Sequence, residues 1–179
     1  MLDLDPTGMI VPSVDTLDQA LGIVDAACFP PLGNRSFGGR RVIDLHGRGY
    51  ANDANALPLV IAQIETPDGL EHLDDIAAVE GIDVLLFGPD DMKLRMGLPM
   101  DLQLHAPELA SVAHRVVEAC RKNLKAAMTV ATALEALAFA LDAGFLVVAV
   151  GGDAGLLKRA SIETINMISA ARSRSAHCQ

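Results

Sequence analysis

Tryptophan is absent and only 3% of the 179 residues are aromatic. A core in a chain of this length, enough for one domain, must therefore be built from Ala, Leu, Val and Ile. Long apolar runs are missing as well. Leu146 to Val150 is far short of the ~20 residues of a membrane span, and no basic segment followed by an apolar one opens the sequence. The chain reads as cytoplasmic, with no membrane partner. Positive charge is scarce, with 14 Lys and Arg against 23 Asp and Glu, for a net charge of −9. Nucleic acid and anionic membranes need a concentrated positive field, so a small molecule is the expected ligand. The three cysteines, Cys28, Cys120 and Cys178, are odd in number and lack paired spacing. They point neither to a disulfide framework nor to a zinc site and read as packing or surface residues.

What the chain does contain is alternation. Short apolar runs at Gly8 to Val11, Leu59 to Ile64, Val84 to Phe87, Ala126 to Val130 and Leu146 to Val150 are separated by segments of helical period, the signature of βαβ units. Helices are expected at Thr16 to Ala27, Gly69 to Ala77, Pro107 to Lys122, Thr132 to Ala143 and Ala154 to about Ala171. The strands are apolar throughout, as when both faces are covered, so the sheet should be parallel. From Pro30 to Pro58 runs a polar, Gly-rich stretch with Arg35, Arg40, Arg41 and Arg48. It is too long for an ordinary connection and reads as a functional loop or a partly disordered segment. Residues 1–172 form one α/β domain, and Ser173 to Gln179 reads as a frayed tail. Five β/α units do not close an eight-stranded barrel, which takes about 250 residues. The chain is either an open sheet or part of a barrel. Met1 to Asp5 leaves no room for a helix, so the sequence opens in the middle of a unit.

Two strand ends carry the chemistry. Gln63-Ile64-Glu65-Thr66-Pro67 closes the second run and Gly88-Pro89-Asp90-Asp91 the third. Neighbouring parallel strands end on the same face, about 5 Å apart, which is a place to hold a divalent cation. Mg²⁺ and Mn²⁺ prefer carboxylate oxygens plus water, leaving positions for a chelating substrate. Glu65 and Asp91 are the candidate ligands, and the competing reading is that both cap helices. The turn from Gly88 can present N–H groups to a substrate carboxylate or be an ordinary βα turn. Gln63 shares a strand face with Glu65, where it orients a bound ligand or is a satisfied core amide. Gly151-Gly152-Asp153 is an anion-binding turn or places Asp153 as a helix N-cap. The five histidines, His46, His72, His105, His114 and His177, share no ligand spacing and read as surface residues. Lys93 could in principle form a Schiff base, but Asp90 and Asp91 favour its charged form.

These two motifs at this separation resemble the HpcH/HpaI aldolase family of class II pyruvate aldolases. Val11-Pro12, Pro30-Pro31-Leu32-Gly33-Asn34-Arg35 and the stretch from Gly144 through Gly151-Gly152-Asp153 to Leu157 add to the likeness, which covers nearly all of the chain. The resemblance implies a (β/α)₈ barrel of which strands four to eight are here, and a divalent cation, Mg²⁺, Mn²⁺ or Co²⁺, on Glu65 and Asp91. It implies that the cation chelates the carboxylate and keto oxygen of a pyruvate moiety, with Gln63 beside it. Gly88, Pro89 and Asp90 receive the carboxylate, and Asp3 reaches the site of a neighbouring subunit in a homo-oligomer. The activity implied is cleavage of a 4-hydroxy-2-oxo acid to pyruvate and an aldehyde. A catalytically silent assembly subunit, a truncated product and an oxaloacetate decarboxylase are the alternatives. The chain departs from the family in lacking the Gly-Glu-His-like segment that supplies a base and the arginine that grips the pyruvyl oxygens. It also has Met92-Lys93 in place of Leu-Ser and a shorter segment from Gly38 to Leu57. Without three of its units, a barrel is expected to expose apolar edges.

Overall fold

Apolar runs of three to six residues, rich in Val, Ile and Leu, form strands, and Gly, Pro and Asp at their joints start and stop the helices between them. The computed structural model describes residues 2–56 and 58–176, without the side chains of 174–176. Its strands are β1 (Gly8–Val11), β2 (Leu59–Ile64), β3 (Val84–Phe87), β4 (Ala126–Val130) and β5 (Val147–Ala149), the last one residue shorter at each end than its apolar run. All neighbours are parallel, in the order β1-β2-β3-β4-β5, and the sheet curls into half a barrel. Ile10, Ile61, Val84 and Ala126 stand in register across four strands.

The helices are α1 (Leu17–Ala27), α2 (Arg40–His46), α3 (Pro67–Glu71), α4 (Leu73–Ala78), α5 (Pro89–Met96), α6 (Pro107–Lys122), α7 (Leu134–Ala143) and α8 (Asp153–Ala176). A capping box opens α1: the Thr16 hydroxyl accepts from the Gln19 N–H, and the Gln19 side chain accepts from the Thr16 N–H, satisfying two otherwise free donors. Along α6, Leu109, Val112, Ala113, Val116, Val117 and Cys120 recur at helical spacing and are buried against β3 and β4. Gly97 and Gly144 take the left-handed conformation after α5 and α7, where a Cβ would be strained.

Three expectations are corrected. The single helix expected over Gly69 to Ala77 is two short ones meeting at His72. Pro67 starts the first early, since it needs no N–H at that position. Gly69 then packs so close to the Val14 carbonyl that a Cβ would lie 2.7 Å from its oxygen. The polar stretch after Pro30 is ordered, with α2 and a 3₁₀ turn over Arg48–Asn52. The physical reason is local aromatic packing: Phe29, Phe37 and Tyr50, half of the six aromatic residues, cluster with ring centres 5.7 to 6.2 Å apart. The Arg35 guanidinium lies 4.8 Å from the centre of the Phe29 ring, and Asn55 bonds both the N–H and the carbonyl of Phe29. Finally, α8 continues to Ala176, past the expected tail start at Ser173. His177, Cys178 and Gln179 lie outside the described residues.

Alternation along the strands sorts the two faces. Val60, Ala62, Ile64, Leu85, Phe87 and Ala127 enter the core with residues of α1, α4 and α6, and burial of a side chain such as Leu85 or Phe87 contributes roughly 1.5–3 kcal/mol. The concave face is covered only at its centre. Val84 and Leu86 are buried there, while Ile10, Leu59, Val130 and Val147 stay 39 to 47% exposed. Cover on both faces, expected from the uniformly apolar runs, therefore holds at β3 and fails towards β1 and β5. On α8, Leu157, Ile165 and Ile168 are exposed. No helix among the described residues is long and apolar enough to cross a membrane.

Candidate metal centre

The turn between β1 and α1 builds the site from below. Ser13 adopts a left-handed backbone, with φ of 53°, an uncommon state for a residue other than glycine. It turns three successive residues onto the end of β2. The Ser13 N–H and hydroxyl both donate to Glu65 Oε1 at 2.9 Å, the Val14 N–H donates to the Gln63 carbonyl at 3.1 Å, and Asp15 Oδ1 accepts from the Thr66 hydroxyl. Thr66 also accepts from the Gly69 N–H at 2.9 Å, which caps α3.

Glu65 is buried, 5% exposed, and its second oxygen accepts from the Gln63 side-chain amide. Gln63 and Glu65 thus meet on one face of β2. The Gly88 N–H donates to the Ile64 carbonyl at 3.0 Å, which brings the end of β3 alongside. A Cβ on Gly88 would lie 2.9 Å from both Glu65 Oε2 and Gln63 Nε2. Only glycine leaves that space open.

The segment after Gly88 is the start of α5, not a turn. Pro89 fits the first helical position because its missing N–H is not needed there. Of the three residues expected to receive a carboxylate, Gly88, Pro89 and Asp90, Pro89 has no N–H group and that of Gly88 is already bonded. Those of Asp90 and Asp91 sit at the helix start, where intrahelical partners do not exist. Asp91 is exposed and bonded to no side chain among the described residues. Asp90 pairs with Lys93 at 2.8 Å. Lys93 is buried and also donates to the Met100 carbonyl at 2.8 Å, so its ammonium ties α5 to the following loop.

The arrangement fits a hard divalent cation. An ionised carboxylate offers about four acceptor positions. Glu65 uses three on protein donors, and its Oε2 faces the gap that Gly88 leaves. Asp91 lies one helical turn on from Gly88 in α5, and one or two carboxylates with room left for water and substrate is the pattern such a cation takes. No group of three or more His, Cys, Asp or Glu that could hold a metal is found among the described residues.

Asp3 does not join these residues. It precedes β1, whereas the site lies beyond the ends of β2 and β3, and it pairs with Arg35 at 2.9 Å. His46 pairs with Asp5 at 3.0 Å and His114 meets Phe139 edge-to-face, both away from the site. Asp153 opens α8 and accepts from the Ala154 N–H at 2.7 Å. Sequence reasoning missed Ser13 and Asp15, because what marks them is a backbone angle and contacts 52 and 51 residues away in sequence.

Comparison with known proteins places the chain in a family. The profile of the HpcH/HpaI aldolase/citrate lyase family matches residues 1–160. A 4-hydroxy-2-oxovalerate aldolase of Novosphingobium aromaticivorans is 43% identical over 99 residues, 55% of this chain and 38% of that protein. A 2-keto-3-deoxy-L-rhamnonate aldolase of Salmonella schwarzengrund is 37% identical over 130 residues, 71% of this chain and 46% of that protein. The crystal structure of an HpcH/HpaI aldolase/citrate lyase family protein from Burkholderia cenocepacia superposes with a TM-score of 0.82 at 28% identity, over 94% of this chain and 67% of that one. The chain thus spans less than half the length of these two curated relatives. The profile match over residues 1–160 and the curled parallel sheet agree, and the chain belongs to the HpcH/HpaI aldolase/citrate lyase family.

Proposed function

We propose that the chain carries the cation- and 2-oxo-acid-binding part of a carbon–carbon lyase that cleaves a 4-hydroxy-2-oxo acid to pyruvate and an aldehyde. The observation that carries this reading is the buried Glu65 carboxylate, held by Ser13 and Gln63 with one oxygen facing the gap at Gly88. Glu65 and Asp91 would hold Mg²⁺, Mn²⁺ or Co²⁺, which when bound supplies Lewis-acid polarisation of a carbonyl. Gln63 fixes the orientation of Glu65, and Gly88 keeps the approach open. The N–H groups of Asp90 and Asp91, at the positive end of α5, suit the substrate carboxylate.

The exposed apolar residues Ile10 and Val147 support assembly with further copies, one of which Asp3 would serve. The test is pyruvate release from a racemic 4-hydroxy-2-oxo acid, with Mn²⁺ or Mg²⁺ and with chelator, alongside Mn²⁺ binding by the wild type and by Glu65→Gln. Cation-dependent release, with binding lost in the variant, supports the lyase. Glu65-dependent binding without release favours a silent binding subunit. Unchanged Mn²⁺ affinity in Glu65→Gln overturns the site.

A further inference from the structure

We propose that Ser13 is the positioning residue of the cation site, and that its hydroxyl, not only its backbone, sets the affinity of Glu65 for the cation. The inference rests on the assignment of Glu65 as a ligand.

A glutamate side chain has three rotatable bonds, and a useful ligand must be held in one arrangement before the cation arrives. Ser13 supplies two donors to the same oxygen, each at 2.9 Å, so that Oε1 is committed and Oε2 is directed to the Gln63 and Gly88 side. The second donor exists only because the residue is a serine. The first exists because its backbone is left-handed, which swings the N–H toward β2. Two further bonds lock this turn. Val14 is tied to the Gln63 carbonyl and Asp15 to Thr66, while the Asp15 and Thr66 ends are each anchored to a helix start, through Gln19 and Gly69.

If this turn served folding alone, glycine would be the better residue at φ of 53°, because it adopts that conformation without steric cost. A polar side chain kept at a strained position beside a buried carboxylate is the pattern of a site in which strain is tolerated for function.

The experiment compares wild type, Ser13→Gly, Ser13→Ala and Glu65→Gln for Mn²⁺ affinity, from the electron paramagnetic resonance signal of free Mn²⁺, and for unfolding temperature in chelator. The proposal expects Ser13→Gly to keep or raise the unfolding temperature while binding Mn²⁺ about tenfold more weakly, the usual effect of losing a group that orients a ligand. Ser13→Ala should show the same loss of affinity with an unfolding temperature below that of Ser13→Gly, since it keeps the strained angle. Wild-type affinity in Ser13→Gly overturns the proposal, as does an affinity that simply follows stability across the two variants. If Glu65→Gln binds as wild type, the ligand assignment fails first and the inference about Ser13 falls with it. Loss in Glu65→Gln without loss in Ser13→Gly defeats the Ser13 proposal alone.

Discussion

Gly88 and Glu65 are in contact across adjacent strand ends: a methyl group added to Gly88 would lie 2.8 Å from the Glu65 Cβ and 2.9 Å from its Oε2. Gly88 has φ of −95°, an angle open to any residue. Its requirement for glycine is therefore one of space, not of backbone conformation.

Gly88→Ala should be destabilising by about 1–3 kcal/mol, the usual cost of forcing atoms into a filled site, and should weaken Mn²⁺ binding. Two of the crowded atoms respond differently. Gln63 Nε2 ends a flexible side chain and can swing away, whereas the Glu65 Cβ is fixed by β2. Gln63→Ala in the Gly88→Ala background should therefore recover part of the stability but not the cation affinity. Urea unfolding with and without Mn²⁺ checks both, and full recovery of affinity would show that Gln63 alone was displaced.

Much of this architecture is legible in one dimension. Runs such as Val84 to Phe87 are apolar, short and bounded by Asp83 and Gly88, and local chemistry decides their ends. The α5 helix was harder to read because Gly-Pro-Asp-Asp has the composition of a turn, and only the carbonyl of Gly88, accepting from the Met92 N–H, shows a helix beginning. The order of residues 30–56 depends on Phe29 meeting Tyr50, 21 positions later, which no periodicity reports. At the site, strand length and parallel register explain why Glu65 falls beside Gly88, since Ile64 pairs with Phe87, whereas Asp91 lies past the strand within α5. Ser13 was not legible, since its role depends on a backbone angle and on a partner one strand away.

Lys93 is predicted to be structural. Its ammonium is shared between Asp90 and the Met100 carbonyl, and a lysine that forms a Schiff base must instead be neutral and free. Borohydride reduction in the presence of pyruvate should leave the mass of the chain unchanged. Lys93→Met fills the same volume and loses two bonds. Because Asp90 is exposed and can be hydrated, the cost should be only about 1 kcal/mol, measured by chemical denaturation. A borohydride-trapped adduct on Lys93 would reassign the residue to catalysis.

Stability should fall in alkali through Cys120. Burial pushes its thiol up to about 11 from an ordinary 9.0, opposed by a hydrogen bond to the Leu85 backbone and the charge of Lys125. The folded chain therefore holds this proton more tightly than the unfolded one. The contribution is fully present below about pH 9 and is lost as pH rises toward 11. Lys125 acts in the opposite sense: burial lowers its pKa, against the nearby charges of Asp83, Cys120 and Glu80, so its folding penalty is relieved with rising pH. Comparing wild type with Cys120→Ala isolates the thiol. The wild type should lose about 1–2 kcal/mol more than the variant between pH 8 and 11, and parallel pH profiles would contradict the assignment.

Removal of the two carboxylates should have contrasting effects on the cation-free protein. Glu65 is buried and makes no ion pair with Lys, Arg or His among the described residues, so its charge is balanced only by three hydrogen bonds. In Glu65→Gln the new amide keeps an acceptor for Ser13, and a flip of the Gln63 amide lets its oxygen meet the new NH₂ group. Every bond survives and a buried charge is gone, so in chelator Glu65→Gln should be as stable as wild type or more so. Asp91→Asn loses a favourable carboxylate in the first turn of α5 and should cost roughly 0.3–1 kcal/mol. Mn²⁺ separates both variants from wild type. At a hundred times its dissociation constant, a ligand that binds only the folded state stabilises it by about 2.7 kcal/mol, and neither variant should show that gain at the same Mn²⁺ concentration. A full gain in Asp91→Asn would remove Asp91 from the ligand set and leave Glu65 to hold the cation without it.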